Sequence, residues 1–418
     1  MLQLRLSGPT TASRETACER EDAGGWSEPK APSIAWLTRY PAKRCQSAIC
    51  VAHRLPTELS DIRMSPQPSD TMGLFGRTRT TVGLDIGSGL IKLVAISHSA
   101  GGPVLTKVAF TSIANDAIVE GEIMDPGIVA EAIKGLFASA GIKAKSVVTA
   151  VGGRDVIVKK ISMDRMGETE AREVIRWEAE QHVPFDMDNV ELDFQILDPE
   201  GEGLQMTVLI VAAKRELVDH KVALLADVGL QSTIIDVDAF ALHNAFEINY
   251  PEAMNGVVGL VNIGHEVTNI YILDDGVPVL TRDIPVGTRR FREDLQRERG
   301  QSAEEAERML QGGSSGEIPE AFLQTRTEEL AVGIERAGAF LQTASRSAGG
   351  ISRIFLTGGG SRIPRLSRVL GDRLQIPVQL ANPIEKLQVA NGVFDQMQVD
   401  EVAPLLMLPI GLALRTAA

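Results

Sequence analysis

TVGLDIGSGLIKLVAISHSAGGPVLTKVAF, residues 81–110, decides the reading of this chain, because a second stretch repeats its plan: VVGLVNIGHEVTNIYILDDGVPVLTRDIP, residues 257–285. Each opens on an apolar strand that ends at an acid or amide followed by Ile-Gly, at Asp85-Ile86-Gly87 and Asn262-Ile263-Gly264. Each continues through a polar turn into a second strand, at 90–97 and 267–273. A glycine turn then leads into Pro-Val-Leu-Thr and a basic residue, Lys107 or Arg282. Matching order and spacing predict a duplicated three-strand unit. The copies lie too far apart for a solenoid, so two similar domains are expected. Helical stretches are predicted at 128–140, 168–182, 216–228, 290–299, 303–311 and 321–345. Their alternation with strands marks an α/β protein.

The glycine turns carry the candidate chemistry. Gly87 and Gly89 let backbone approach a ligand closely, and N–H groups of such a turn can converge on a phosphate oxygen. Ser88 adds a hydroxyl, and Lys92 a cation. Asp85, at the strand end, could hold Mg²⁺ through water. A third cluster, Ile354-Phe355-Leu356-Thr357-Gly358-Gly359-Gly360-Ser361, runs from an apolar strand through glycines toward a helix, a nucleotide-shaped arrangement. Pro364 is expected in the first turn of that helix. Any one of these elements alone reads equally as a plain turn; the three together point to a phosphate-bearing ligand. Between the second and third turns, the stretch Ala306-Glu307-Arg308 reads by itself as a solvated helix face.

Composition bounds the rest. The 418 residues carry a net charge of −13 with 44% hydrophobic and 23% charged residues. That is ordinary for a globular protein and adverse to nonspecific nucleic-acid binding, which needs cations to displace counterions. No apolar run is long enough to span a bilayer. Residues 1–71 differ in kind: they hold all three cysteines, Cys18, Cys45 and Cys50, and two of the three tryptophans, without sustained periodicity. They read as an over-extended translation start with Met72 the initiator, as a disordered tail, or as a functional segment. No cysteine framework is available to the rest of the chain.

The ordered set DIGS…K, NIGHEVT, VGT…AER and LTGGGS resembles the actin-like superfamily. This resemblance implies duplicated actin-like (ribonuclease H-like) domains with ATP and Mg²⁺ in the cleft between them. It places Asp85, Gly87, Ser88, Gly89 and Lys92 in the first phosphate motif and Asn262, Gly264 and Thr268 in the second. Glu307 falls at the ribose, and Gly358, Gly359 and Gly360 at the adenosine. Asp236 and Asp238 fall at the connecting helix, where relatives orient attacking water, so Asp238 is the candidate catalytic residue. Two departures stand out. Asn262 replaces the usual Asp, and Leu310 the usual Lys of the ribose motif, so hydrolysis is expected to be slow at most.

More specific text is similar to the PilM family of type IV pilus assembly proteins: Glu178-Ala179-Glu180-Gln181-His182-Val183-Pro184-Phe185-Asp186 and Pro409-Ile410-Gly411-Leu412-Ala413-Leu414-Arg415. This implies an insertion subdomain of the FtsA type, called 1C, at about 157–205. The first half then spans 72–239 and the second 240–418. It also implies a cytoplasmic scaffold at the inner membrane that docks the N-terminal cytoplasmic tail of PilN beside Pro184 and Phe185, with pilus motor and platform proteins as further partners. Homo-oligomerisation stays open. The alternatives are an FtsA-like division protein, which should end in an amphipathic membrane helix, and a small-molecule kinase of the same superfamily, which needs a general-base carboxylate at a substrate pocket.

Overall fold

The computed structural model describes residues 79–313, 317–344 and 349–416; the leader 1–71 and Met72 lie outside the described residues. The chain begins with β1 (Arg79–Ile86), β2 (Leu90–Ser99) and β3 (Gly102–Ser112), then a small ribbon of β4 (Ile118–Val119) and β5 (Glu122–Ile123). Helix α1 (Pro126–Ala140) starts where the Asp125 side chain accepts from the Ile128 N–H, with Pro126 in its first turn, and it ends at left-handed Gly141. There follow β6 (Ser146–Val151), β7 (Val156–Asp164), α2 (Glu168–Glu180), β8 (Val190–Ile196), β9 (Gln205–Lys214), α3 (Arg215–Asp227), β10 (Gln231–Val237) and α4 (Asp238–Asn249). The second half runs β11 (Val257–Ile263), β12 (Thr268–Asp274), β13 (Val277–Ile284), α5 (Thr288–Arg299), α6 (Ala303–Leu310), α7 (Glu320–Ala344), β14 (Arg353–Thr357), α8 (Leu366–Leu374) and β15 (Val378–Leu380). It closes with β16 (Gln388–Val389), α9 (Val399–Val402) and α10 (Met407–Ala413). Helix α6 opens on a reciprocal Ser302–Glu305 capping box.

The duplication extends beyond the hairpins read from sequence. One sheet has the order β10-β6-β1-β2-β3-β16 and the other β13-β12-β11-β14-β15. In each, an antiparallel three-strand unit is extended from its first strand by two parallel strands: β6 and β10 beside β1, β14 and β15 beside β11. Register repeats as well. Asp85 faces Lys92 across β1–β2, and Asn262 faces Asn269 across β11–β12.

Between β6 and α3 the chain builds a separate three-stranded sheet, β7-β9-β8, covered by α2. The insertion expected at 157–205 therefore continues through β9 to Lys214, because β9 is the central strand and neither neighbour would have a ladder without it. It has its own core, with Ala171, Ile175, Val208 and Ile210 fully or nearly buried.

The expected division at Phe240 also needs correction. Phe240 is fully buried inside α4, in a core that draws residues from both halves, Val94 and Ile235 on one side and Leu260 and Phe355 on the other. The end of the chain returns to the first half: β16 pairs with β3, and α10 packs against β1, β2 and α4. A linear cut at 240 misses this because the apolar α10, buried along its whole length, finds its partners on the first sheet.

Candidate functional site

The three glycine turns converge on one cleft of about 810 Å³ between the two sheets. In the first, the Gly87 N–H donates to the Leu90 carbonyl at 3.2 Å; in the second, the Gly264 N–H donates to the Val267 carbonyl at 2.9 Å. The same bond closes both copies. A Cβ at Gly89 would stand 2.8–2.9 Å from the His265 side chain, so the turns of the two halves touch. At the third turn Gly358 adopts φ 84°, and a Cβ there would lie 2.5 Å from Asn262 Oδ1. Only glycine suits both the dihedral and the approach. The turn runs into a 3₁₀ segment, Gly359–Arg362, and α8 starts after left-handed Arg365. Pro364 thus stands ahead of the helix rather than in its first turn, because the 3₁₀ turn and the left-handed residue delay the helix start.

The two copies differ in chemistry where their register agrees. In the first, Lys92 Nζ donates to Asp85 Oδ2 at 2.6 Å, and both side chains are nearly buried. Lys92 thus lines the cleft as one half of an ion pair with Asp85. In the second, Asn262 Nδ2 donates to Asn269 Oδ1 at 3.2 Å, and Asn269 Nδ2 donates to Asp283 Oδ1 at 2.8 Å. The carboxylate absent at 262 thus has a counterpart two strands over, in Asp283, whose pKa burial raises while the Asn269 hydrogen bond opposes the shift.

Asp85, Gly87, Ser88, Gly89, Lys92, Asp238, Asn262, Gly264, Glu307, Gly358 and Gly359 all line the cleft. Thr268 and Gly360 brace it from behind. Thr268 is fully buried and donates to the Val286 carbonyl at 2.6 Å. Gly360 is packed so that a Cβ would overlap Ile263. Asp236 and Asp238 part company: Asp236 is fully buried and receives Arg415 at 2.5 and 2.6 Å, whereas Asp238, at the head of α4, reaches the cleft. Gly152 makes room for it, since a Cβ there would overlap the Asp238 carboxylate. Burial above all, and then Asp85, push the Asp238 carboxyl up to about 7, with Lys221 pulling the other way.

Gly152, Lys221 and Asp283 are functional candidates the sequence reading passed over. Gly152-Gly153 was visible as a glycine pair after a strand; nothing local marks Lys221 or Asp283. Glu307 accepts from Gln311 at 2.8 Å and lies 3.7 Å from Arg292. Arg292 of α5 thus places a cation beside Glu307 in the cleft, where position 310 is a leucine. Among the described residues no group of three or more His, Cys, Asp or Glu side chains is arranged to hold a metal ion. Asp85 and Asp238 fit instead an Mg²⁺ that keeps its waters and binds chiefly through phosphate oxygens, as that ion commonly does. Phe185 and Pro184 lie outside the cleft, on the insertion. Phe185 is half-buried beneath Lys214, whose Nζ is 5.2 Å from the ring centre, and Pro184 is exposed.

Residues 83–417 match the family model described as type IV pilus assembly protein PilM. Among solved structures, one described as the PilM-PilN type IV pilus biogenesis complex is similar, with 29% identity over 80% of this chain and 97% of that chain and a TM-score of 0.70. The ethanolamine utilization protein EutJ from Carboxydothermus hydrogenoformans matches at 17% identity, 80% and 89% coverage and TM-score 0.43. MreB5 of Spiroplasma citri bound to ADP matches at 15%, 80% and 94% coverage and 0.45. The last two are too distant to inform function.

Proposed function

The chain belongs to the PilM family of type IV pilus assembly proteins, and from that premise we propose that it is an ATP-binding scaffold that docks the N-terminal cytoplasmic tail of PilN. The observation that supports nucleotide binding is the pair of equivalent glycine turns, closed by the same hydrogen bond and pressed together across the cleft at Gly89 and His265. The phosphates would lie between these turns, with the nucleoside toward Gly358, Gly359 and Glu307. Asp85 and Asp238 would meet Mg²⁺ through its waters, and the ion would spread the phosphate charge. Hydrolysis is slow in this reading, because phosphoryl transfer depends on placed charge around the metal and Asn262 offers an amide.

PilN is the partner on two grounds. A solved relative is described as a complex with it, and the insertion offers a self-contained sheet and helix beside exposed Pro184. An extended tail would bind there by strand addition or in an apolar pocket. The protein would reach the inner membrane through PilN; no helix among the described residues is long and apolar enough to cross a membrane.

Calorimetric titration tests this reading with Mg-ATP and with a synthetic PilN N-terminal peptide. Saturable binding of one of each per chain is expected, with ATP still intact after many minutes. Absence of peptide binding, with and without Mg-ATP, would remove the docking role. Absence of ATP binding would remove the nucleotide site, and fast turnover without partners would make the protein an active ATPase.

A further inference from the structure

We propose that Lys221 reads the terminal phosphate of the bound nucleotide, so that the cleft distinguishes a nucleoside triphosphate from a diphosphate. This rests on the nucleotide reading of the cleft and adds a residue to it. Lys221 lies in α3, a helix that follows directly from the insertion's last strand. Leu217 and Lys221, one turn apart on the same helix face, both line the cleft, while Val218, Leu224 and Leu225 anchor the helix in the core.

The side chain is 9% exposed. A lysine so buried is almost always paired, since an uncompensated buried charge is costly. Among the described residues Lys221 has no hydrogen bond or ion pair. Burial pushes its ammonium pKa down, while Asp238 and Asp85 hold it up. Neither carboxylate is hydrogen-bonded to it: Asp85 is engaged by Lys92 at 2.6 Å. Lys92, the cation expected at the phosphates, already holds an ion pair with Asp85, whereas Lys221 has all its donors unused in the same cleft.

Position argues for the last phosphate. Glu307, Gln311 and Gly358 mark the nucleoside end from the second half. The turns at Gly87 and Gly264 mark the middle. Lys221 belongs to the Asp85–Asp238 side, where the end of a triphosphate would arrive. Asp85, Asp238 and Asp283 would repel that end without a compensating cation, and an ammonium that donates to a γ-phosphate oxygen supplies one. A diphosphate would not reach it.

The test uses the purified full chain, with Mg-ATP and Mg-ADP affinities measured by calorimetry for the wild type, Lys221→Gln and Lys221→Arg. Loss of one hydrogen bond to a charged group should weaken ATP binding about tenfold or more while ADP binding changes by less than about twofold. Lys221→Arg should recover part of the ATP preference. Melting of the ligand-free variants checks folding, and Lys221→Met, which fills the same space, takes the place of Lys221→Gln if that variant unfolds. Equal losses for both nucleotides, or no loss for either, would overturn the role of Lys221 and leave the cleft's assignment standing. A wild type that binds neither nucleotide would overturn both.

Discussion

Asp238 places its carboxylate at a crowded point of the cleft, near Asp85, Asp283 and Asp236, with Lys221 as the opposing charge. Its carboxyl rises from the ordinary 3.8 to about 7, first by burial and then by Asp85. The folded protein therefore binds more protons than the unfolded chain between these values. Its stability should fall as pH rises through that window, with the penalty complete above about 7. Asp238→Asn removes the penalty. In the absence of ligand it should melt higher than the wild type at pH 8, by on the order of 2 °C or more. The difference should shrink toward nothing near pH 4. Differential scanning at both pH values checks this, and an unchanged difference between them would place the shifted group elsewhere. His243 titrates in the opposite sense, since burial lowers its pKa to about 4, but it is common to both proteins and cancels in the comparison.

Among the elements, α10 bears most on how the halves are joined. It crosses α4 so closely that a Cβ at Gly411 would overlap the Ala241 carbonyl, and it lies against β1 at Gly83, where a Cβ would stand 2.7 Å from the Ala413 nitrogen. Just beyond it, Arg415 closes the buried pair with Asp236 at the end of β10. Glycine at 411 is thus a packing requirement between two helices, and its φ is not left-handed. Gly411→Val should overpack this crossing and cost about 3 kcal/mol. The expected sign is a lower urea midpoint with an unchanged slope. A midpoint equal to that of the wild type would mean that the helices have room to separate.

At the scale of the whole molecule, the cleft is latched at its mouth. The loop between β3 and α1 holds Asp116 and Glu120 in left-handed backbone, φ 64° and 49°. The Glu120 N–H donates to Glu266 at 2.6 Å. Arg289 of the second half donates to Asp116 at 2.8 Å and to Glu266 at 2.9 Å. The first half thus reaches across the cleft to the second. An exposed ion pair contributes little stability by itself, so the consequence is kinetic: opening must break both crossing contacts, Arg289–Asp116 and Glu120–Glu266, together. Arg289→Ala should raise the rate of nucleotide release by roughly threefold, the worth of one exposed pair of under 1 kcal/mol, with little change in melting temperature. Stopped-flow release of a fluorescent ATP analogue reads this directly, and an unchanged rate would show that the latch does not govern exit.

Much of this was legible in the chain itself. The hairpins at 81–110 and 257–285 stand where the periodicity placed them. The helices expected at 168–182 and 303–311 begin at Glu168 and Ala303 as read. Such features depend on contacts between near neighbours: strand alternation, helix periodicity, caps and glycine turns. The family was equally readable, because its signatures are short contiguous strings. Tertiary structure decided what contiguity cannot. It sent Asp236 to Arg415, far along the chain, and left Asp238 for the cleft. It tied Lys92 to Asp85, brought Lys221 and Asp283 beside them, and returned α10 to the first sheet. Which of two nearby carboxylates is charged, paired or open to a ligand depends on the low-dielectric surroundings and partners that folding assembles, and those come from chain segments with no local sign that they will meet.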